Sequence, residues 1–262
     1  MAIAQVNGVS LHYREDGVPE GRPVVFANSL GTDLRLWDPI LPHLPGGLRI
    51  VRYDKRGHGL SDCPPPPYSM GALVSDAEAL LDVLNIRDAV FVGLSIGGMI
   101  AQGLAIKRLD QIRAMVISNT AVKIGTKEMW DDRIAAVRSG GIEALADAVL
   151  ERWFSKPFRA SPELTQWRNM LIRQPRDGYI GCSAAIAGTD FYTTSASLTL
   201  PTLAIAGTED GSTPPDLVRE TAGLIKGSRF ELIRGAGHLP CVEQPEQYAA
   251  HLTDFLKDIG HA

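Results

Sequence analysis

Short apolar runs alternate with amphipathic helical periods at both ends of the chain, and this alternation restricts the fold more than any other feature. Residues 24–27, 48–53, 90–94, 114–118, 200–206 and 230–233 form brief, near-continuous apolar runs. Such runs suit parallel strands covered on both faces. Between them, Leu73, Ala77, Leu80, Leu81 and Leu84 recur on one helical face. Residues 95–106, 214–224 and 245–256 carry further helical patterns, and Pro214-Pro215 suits a helix start. Residues 3–6 and 9–13 flank Asn7-Gly8, a pair that tolerates positive φ in a tight hairpin. The expected class is α/β: a mostly parallel, twisted sheet with helices on both faces.

The rhythm breaks in the middle. From residue 122 to 197 the chain has helical spacing (Trp130, Ile134, Val137; Leu145, Val149, Trp153) and no strand pattern. Three of the four tryptophans, Trp130, Trp153 and Trp167, fall there. The expected organisation is a core domain, 1–121 with 198–262, and a helical cap domain, 122–197, inserted after the sixth strand. Pro64 to Pro67 suggests a rigid, polyproline-like spacer.

Composition narrows the function classes. With 262 residues the chain can bury a core without disulfides or metal. Twenty-six basic against 30 acidic residues give a net charge of −4, which offers no basis for nucleic-acid binding. No apolar run approaches a membrane span, and no secretory leader is visible at the N-terminus. Cys63, Cys182 and Cys241 are odd in number and widely spaced, so neither a disulfide framework nor a thiolate metal site is expected. A cytoplasmic location follows as the expectation.

The strongest local motif is Gly93-Leu94-Ser95-Ile96-Gly97, a G-x-S-x-G between an apolar run and a helical pattern. In that setting the serine occupies a sharp strand-to-helix turn as a nucleophile. A serine nucleophile needs a base, and His238, in the glycine-rich stretch after the last strand run, is positioned for it. His58 reads instead as a structural residue of its own loop. The orienting carboxylate is assigned to Asp210, after residues 200–206, over its rivals Glu209 and Asp216. The oxyanion donors are expected at the backbone N–H groups of Ile96 and Leu30. This chemistry calls for no metal and no organic cofactor.

These residues together resemble the α/β-hydrolase superfamily over essentially the whole chain. Tyr53-Asp54-Lys55-Arg56-Gly57-His58-Gly59-Leu60-Ser61 resembles its D-x-R-G-x-G-x-S loop. The usual H-G-x-G oxyanion loop is here Asn28-Ser29-Leu30-Gly31, a departure from esterases at large. A narrower likeness is to 3-oxoadipate enol-lactonases. It is carried by Asn28 to Asp33, Lys123 to Thr126 with Glu128-Met129-Trp130, Glu151-Arg152-Trp153-Phe154, Gly178 to Cys182, and Gly207 to Asp210 with Ser212 to Pro215. The resemblance implies hydrolysis of 3-oxoadipate enol-lactone to 3-oxoadipate in bacterial aromatic catabolism.

A small lactone that carries a carboxylate needs a cation in the pocket. Arg133 is the candidate, with Lys123, Lys127 and Arg138 as alternatives, and Trp130 and Trp153 as pocket walls. The remaining alternatives are another serine hydrolase on this scaffold (a carbon–carbon-bond hydrolase of ring-cleavage products, an esterase, a cofactor-free perhydrolase) or a non-catalytic receptor. Dehalogenases and epoxide hydrolases of this fold use an aspartate where Ser95 stands.

Overall fold

The computed structural model describes residues 2–262. The elements follow in the order β1 (Ala2–Val6), β2 (Val9–Gly17), β3 (Arg22–Ala27), a 3-10 helix (Leu34–His43), β4 (Leu48–Tyr53), α1 (Met70–Val83), β5 (Ala89–Leu94), α2 (Ile96–Lys107) and β6 (Ile112–Ser118). A helical stretch comes next: α3 (Lys127–Gly140), a 3-10 turn (Ile142–Leu145), α4 (Ala146–Trp153), α5 (Lys156–Arg159), α6 (Leu164–Ile172), α7 (Arg176–Ala187) and α8 (Tyr192–Ser195). The chain closes with β7 (Thr202–Gly207), α9 (Pro215–Leu224), β8 (Arg229–Ile233), α10 (Pro240–Glu243) and α11 (Pro245–Asp258).

Eight strands form one sheet in the order β1-β2-β4-β3-β5-β6-β7-β8. The hairpin β1–β2 and the pair β2–β4 are antiparallel, and every other pair is parallel. Asn7 and Gly8 both take positive φ, 47° and 76°, as the hairpin turn requires. Phe26 and Ala27 are consecutive and so point to opposite faces. The Phe26 ring meets Trp37 of the long 3-10 helix at 4.9 Å, while Ala27 lies against α2 at Gly97. Helices therefore cover both faces, as the apolar runs require.

Parallel register brings five strand ends to one edge. Ala27 pairs with Gly93, Leu94 with Ser118, Ser118 with Ile205, and Gly207 with Ile233. Strand order reverses at β3, whose neighbours are β4 and β5, and open sheets bind ligands in the crevice at such a switch point. The loops after β3 and β5 flank that crevice, and the helices between β6 and β7 are inserted beside it.

Several sequence expectations shift at element ends. The run at 200–206 becomes a strand only from Thr202, after Pro201, which has no N–H to give a ladder. Ser95 lies outside α2, and Leu84 caps α1 rather than continuing it. Pro64 to Pro67 does not run as an extended spacer. It bends at Pro65 and Pro66, and the Tyr68 hydroxyl closes it by donating to the Pro64 carbonyl at 2.6 Å. The 3-10 helix Leu34–His43 has no counterpart among the helical patterns read above: Pro39 and Pro42 interrupt it. No helix among the described residues is long and apolar enough to cross a membrane.

Trp37 is fully buried between Phe26 and Tyr248 of α11. Trp37→Ala is expected to lower unfolding free energy by about 3–5 kcal/mol in urea titrations, because the cavity opens where the helical layer meets the sheet.

Candidate active site

The turn from β5 into α2 is set by close backbone approach. A Cβ on Gly93 would lie 2.1 Å from the Gly97 carbonyl oxygen, and one on Gly97 would lie 2.0 Å from that of Ala27. Only glycine permits these contacts. Ser95, between them, takes φ 58° and ψ −119°, a conformation an L-residue holds only when its surroundings enforce it. Its N–H donates to the Ser118 carbonyl at 2.9 Å, and its own carbonyl accepts the Thr120 hydroxyl at 2.6 Å. Its side chain does not cap α2, so the hydroxyl is left for the pocket.

His238 and Asp210 meet through their side chains, His238 Nδ1 to Asp210 Oδ2 at 2.8 Å. The same oxygen accepts the Asn119 amide at 2.9 Å and the Thr213 hydroxyl at 2.8 Å. The other oxygen accepts the N–H groups of Ser212 at 2.7 Å and Thr213 at 3.0 Å. Burial opposes ionisation of Asp210, but the His238 charge and these hydrogen bonds outweigh it and hold the carboxyl below its ordinary value. With Asp210 ionised, His238 donates from Nδ1 and its Nε2 is left as an acceptor. Glu209 and Asp216, the rival carboxylates, are solvent-exposed.

Ser95, His238 and Leu30 line one pocket of about 160 Å³, with Trp130, Arg133 and Trp153. All three residues singled out as substrate contacts are thus brought to the serine. The N–H groups of Leu30 and Ile96 have no protein acceptor among the described residues. The other candidate cations lie elsewhere: Lys123 pairs with Asp190, Lys127 with Asp131, and Arg138 is exposed. His58 is buried and accepts the Gly31 N–H at 3.0 Å, a structural role in the loop beside Leu30.

The pocket also holds residues that the sequence did not single out for it. Arg152 and Tyr179 line it. The Arg133 guanidinium stacks 4.9 Å from the Trp130 ring, whose indole N–H is pinned to the Ile124 carbonyl at 2.6 Å. Burial and then the Arg133 charge pull Arg152 below its ordinary value. Neither arginine makes an ion pair with a carboxylate among the described residues. Arg133 was singled out in the sequence as the cation for a substrate carboxylate, and Arg152 appeared there only within the Glu151-Arg152-Trp153-Phe154 stretch.

Helix α4 ends against both loops of the His–Asp pair. The Trp153 carbonyl accepts the His238 N–H at 2.7 Å, and the Arg152 carbonyl accepts the Gly211 N–H at 3.1 Å. The arrangement joins a strained serine, a His–Asp pair, unpartnered N–H groups and two cations around a small cavity. Among the described residues no cluster of three or more His, Cys, Asp or Glu is arranged to hold a metal ion.

Known proteins match this chain over nearly its whole length. Residues 24–251 match the model of the alpha/beta hydrolase family. The chain is similar to 3-oxoadipate enol-lactonase 1 of Acinetobacter baylyi, with 35% identity covering 98% of this chain and 97% of that one. It is similar to 3-oxoadipate enol-lactonase 2 of the same organism, with 34% identity over 95% and 94%. The crystal structure of the enol-lactonase from Burkholderia xenovorans LB400 superposes with a TM-score of 0.94 at 37% identity, covering 98% of this chain and all of that one.

Because the folded-state value of Asp210 is depressed, the stability it contributes is present above the ordinary carboxylate value and is lost as pH falls through the depressed one. Urea titrations across the acid range are expected to show stability falling more steeply with acidification in the unmodified protein than in Asp210→Asn.

Proposed function

Because the chain belongs to the alpha/beta hydrolase family, we propose that it is a serine hydrolase that opens 3-oxoadipate enol-lactone to 3-oxoadipate. Two arginines carry this reading. Arg133 and Arg152 face a cavity of about 160 Å³ beside Ser95, each without a carboxylate partner. The Arg133 charge disfavours that of Arg152, and a carboxylate entering between them relieves the repulsion. A neutral ester needs no such pair.

In this reading the lactone sits between the cap helices of 122–197 and the strand ends of the core. Its carboxylate lies against Arg133 and Arg152, and its ring lies between Trp130 and Trp153. Ser95 Oγ attacks the lactone carbonyl while His238 Nε2 takes its proton. Asp210 fixes the imidazole tautomer and stabilises the imidazolium. The N–H groups of Leu30 and Ile96 hydrogen-bond the tetrahedral oxyanion, and the start of α2 favours the same charge. Collapse breaks the ring C–O bond as the His238 imidazolium gives its Nε2 proton to the leaving oxygen, leaving an acyl-enzyme whose released oxygen is an enol. That oxygen is a better leaving group than an alkoxide, and its ketonisation removes the reverse reaction. Water then attacks the acyl carbonyl and gives a proton to His238 Nε2, which passes it to Ser95 Oγ as the acyl C–O bond breaks and the acid is released.

Purified protein is expected to remove the ultraviolet absorbance of the enol-lactone rapidly, and Ser95→Ala to abolish this turnover. Absent lactone turnover with p-nitrophenyl acetate still cleaved would keep the serine chemistry and discard the substrate. Arg133→Ala and Arg152→Ala are each expected to lower kcat/KM for the lactone by about 10- to 100-fold, the loss of one charge-assisted contact of about 1.5–3 kcal/mol. Cleavage of p-nitrophenyl acetate, which has no carboxylate, should change little.

A further inference from the structure

The loop after β3 carries a buried cation that the mechanism above does not use. Lys55 Nζ donates to the Ser29 carbonyl at 2.7 Å. The Thr32 hydroxyl and N–H donate to the same oxygen, at 3.0 and 3.3 Å. That carbonyl and the Leu30 N–H belong to one peptide group. A trans peptide is planar, so its C=O and N–H point in opposite directions. The one cis bond among the described residues is Pro66-Pro67, far from this loop. Ser29 and Leu30 both line the pocket with Ser95. The ammonium therefore stands directly behind the donor, on the side away from the reacting carbonyl.

We propose that Lys55 is a positioning residue that aims and polarises the Leu30 N–H toward the oxyanion through the Ser29–Leu30 peptide. The inference rests on the assignment of Ser95 and Leu30 given above. Fixing the carbonyl fixes the direction of the N–H. A charge on the carbonyl oxygen also draws electron density across the amide and makes its N–H a stronger donor. His58 steadies the next residue by accepting the Gly31 N–H. The cost of Lys55 supports a functional reason for it. It is 2% exposed, and no carboxylate among the described residues forms an ion pair with it. An ammonium buried in this way opposes folding, and an apolar side chain of similar length would fill the space.

The groups around Lys55 set its pH range. Burial pulls it down to about 8, against the opposing charges of Asp54 and Asp33. Burial first, then the Lys55 charge, holds His58 well below its ordinary value, so His58 is neutral across the range in which Lys55 titrates. Burial pushes the Cys182 thiol up to about 12, so it stays protonated throughout. Oxyanion stabilisation should accordingly be full well below pH 8, fall to half near 8 and be lost above it, as Lys55 loses its proton.

The test compares the unmodified protein, Lys55→Met and Ser95→Ala, with p-nitrophenyl acetate as the probe. Lys55→Met is expected to lower kcat and kcat/KM together by about 10-fold or more, short of the about 100- to 1000-fold lost with a whole oxyanion donor. Its fall in activity above pH 8 should disappear, and its Tm should hold or rise. Unchanged kcat with the alkaline fall intact would overturn the proposal. So would a loss of activity that tracks a lowered Tm. Should Lys55→Met fail to fold, the unmodified protein decides: kcat that stays level well above pH 8 overturns the inference, and a fall centred near 8 supports it. Turnover surviving in Ser95→Ala would instead overturn the reading of the site itself, whatever Lys55 does.

Discussion

Everything at the site depends on how tightly β5 can turn into α2. The turn is possible because Gly93 and Gly97 let three backbone segments come within a distance no side chain survives. Ser95 is forced into a left-handed conformation at the apex, with its N–H held by β6 and its carbonyl by Thr120. The same close approach sets the start of α2 against the end of β3. The proposed nucleophile, the Ile96 N–H and the Leu30 N–H are thus placed by one steric constraint. The parallel register of the remaining strands then brings Asn119, Asp210 and His238 to the same edge.

What the sequence revealed follows the range of the interactions involved. The central strands β5 and β7 read as apolar runs because both faces of each are covered, and the G-x-S-x-G read clearly because all its constraints lie within a few residues. The 3-10 helix Leu34–His43 was invisible: two prolines break its pattern, and only its packing of Trp37 on Phe26 and Tyr248 gives it a reason to form. Asn119 was missed because its partner, Asp210, is 91 residues away. Arg152 was quoted only as part of a motif. Nothing in its neighbours shows that it shares a pocket with Arg133, since tertiary packing alone brings α3 and α4 to the same cavity. Lys55 gave no signal for the same reason: a lysine in a loop reads as solvated, and its burial depends on α7.

Charge at the site runs against the charge of the molecule. The chain carries −4 overall, yet the pocket presents Arg133, Arg152 and, one peptide behind its wall, Lys55. Asp210 is the nearby counter-charge, and it is saturated by hydrogen bonds from His238, Asn119, Ser212 and Thr213. Arg133 and Arg152 are therefore without a carboxylate partner until an anion enters. A ground-state carboxylate and a developing oxyanion are both negative, and the proposed chemistry needs both. Arg133 and Arg152 face the first, while the Leu30 and Ile96 N–H groups are free to meet the second.

The carbonyls of Arg152 and Trp153 hold the backbones of Gly211 and His238. Helix α4 is consequently a fixed abutment rather than a door: swinging it away would take the proposed base out of line. The same joints limit how this scaffold can be re-purposed. A foreign helical insert exchanged for this one would bring its own binding residues and would also remove two of the struts under the histidine and the aspartate. Only inserts that keep an α4-like end with two carbonyls in register would leave the hydrolytic machinery standing.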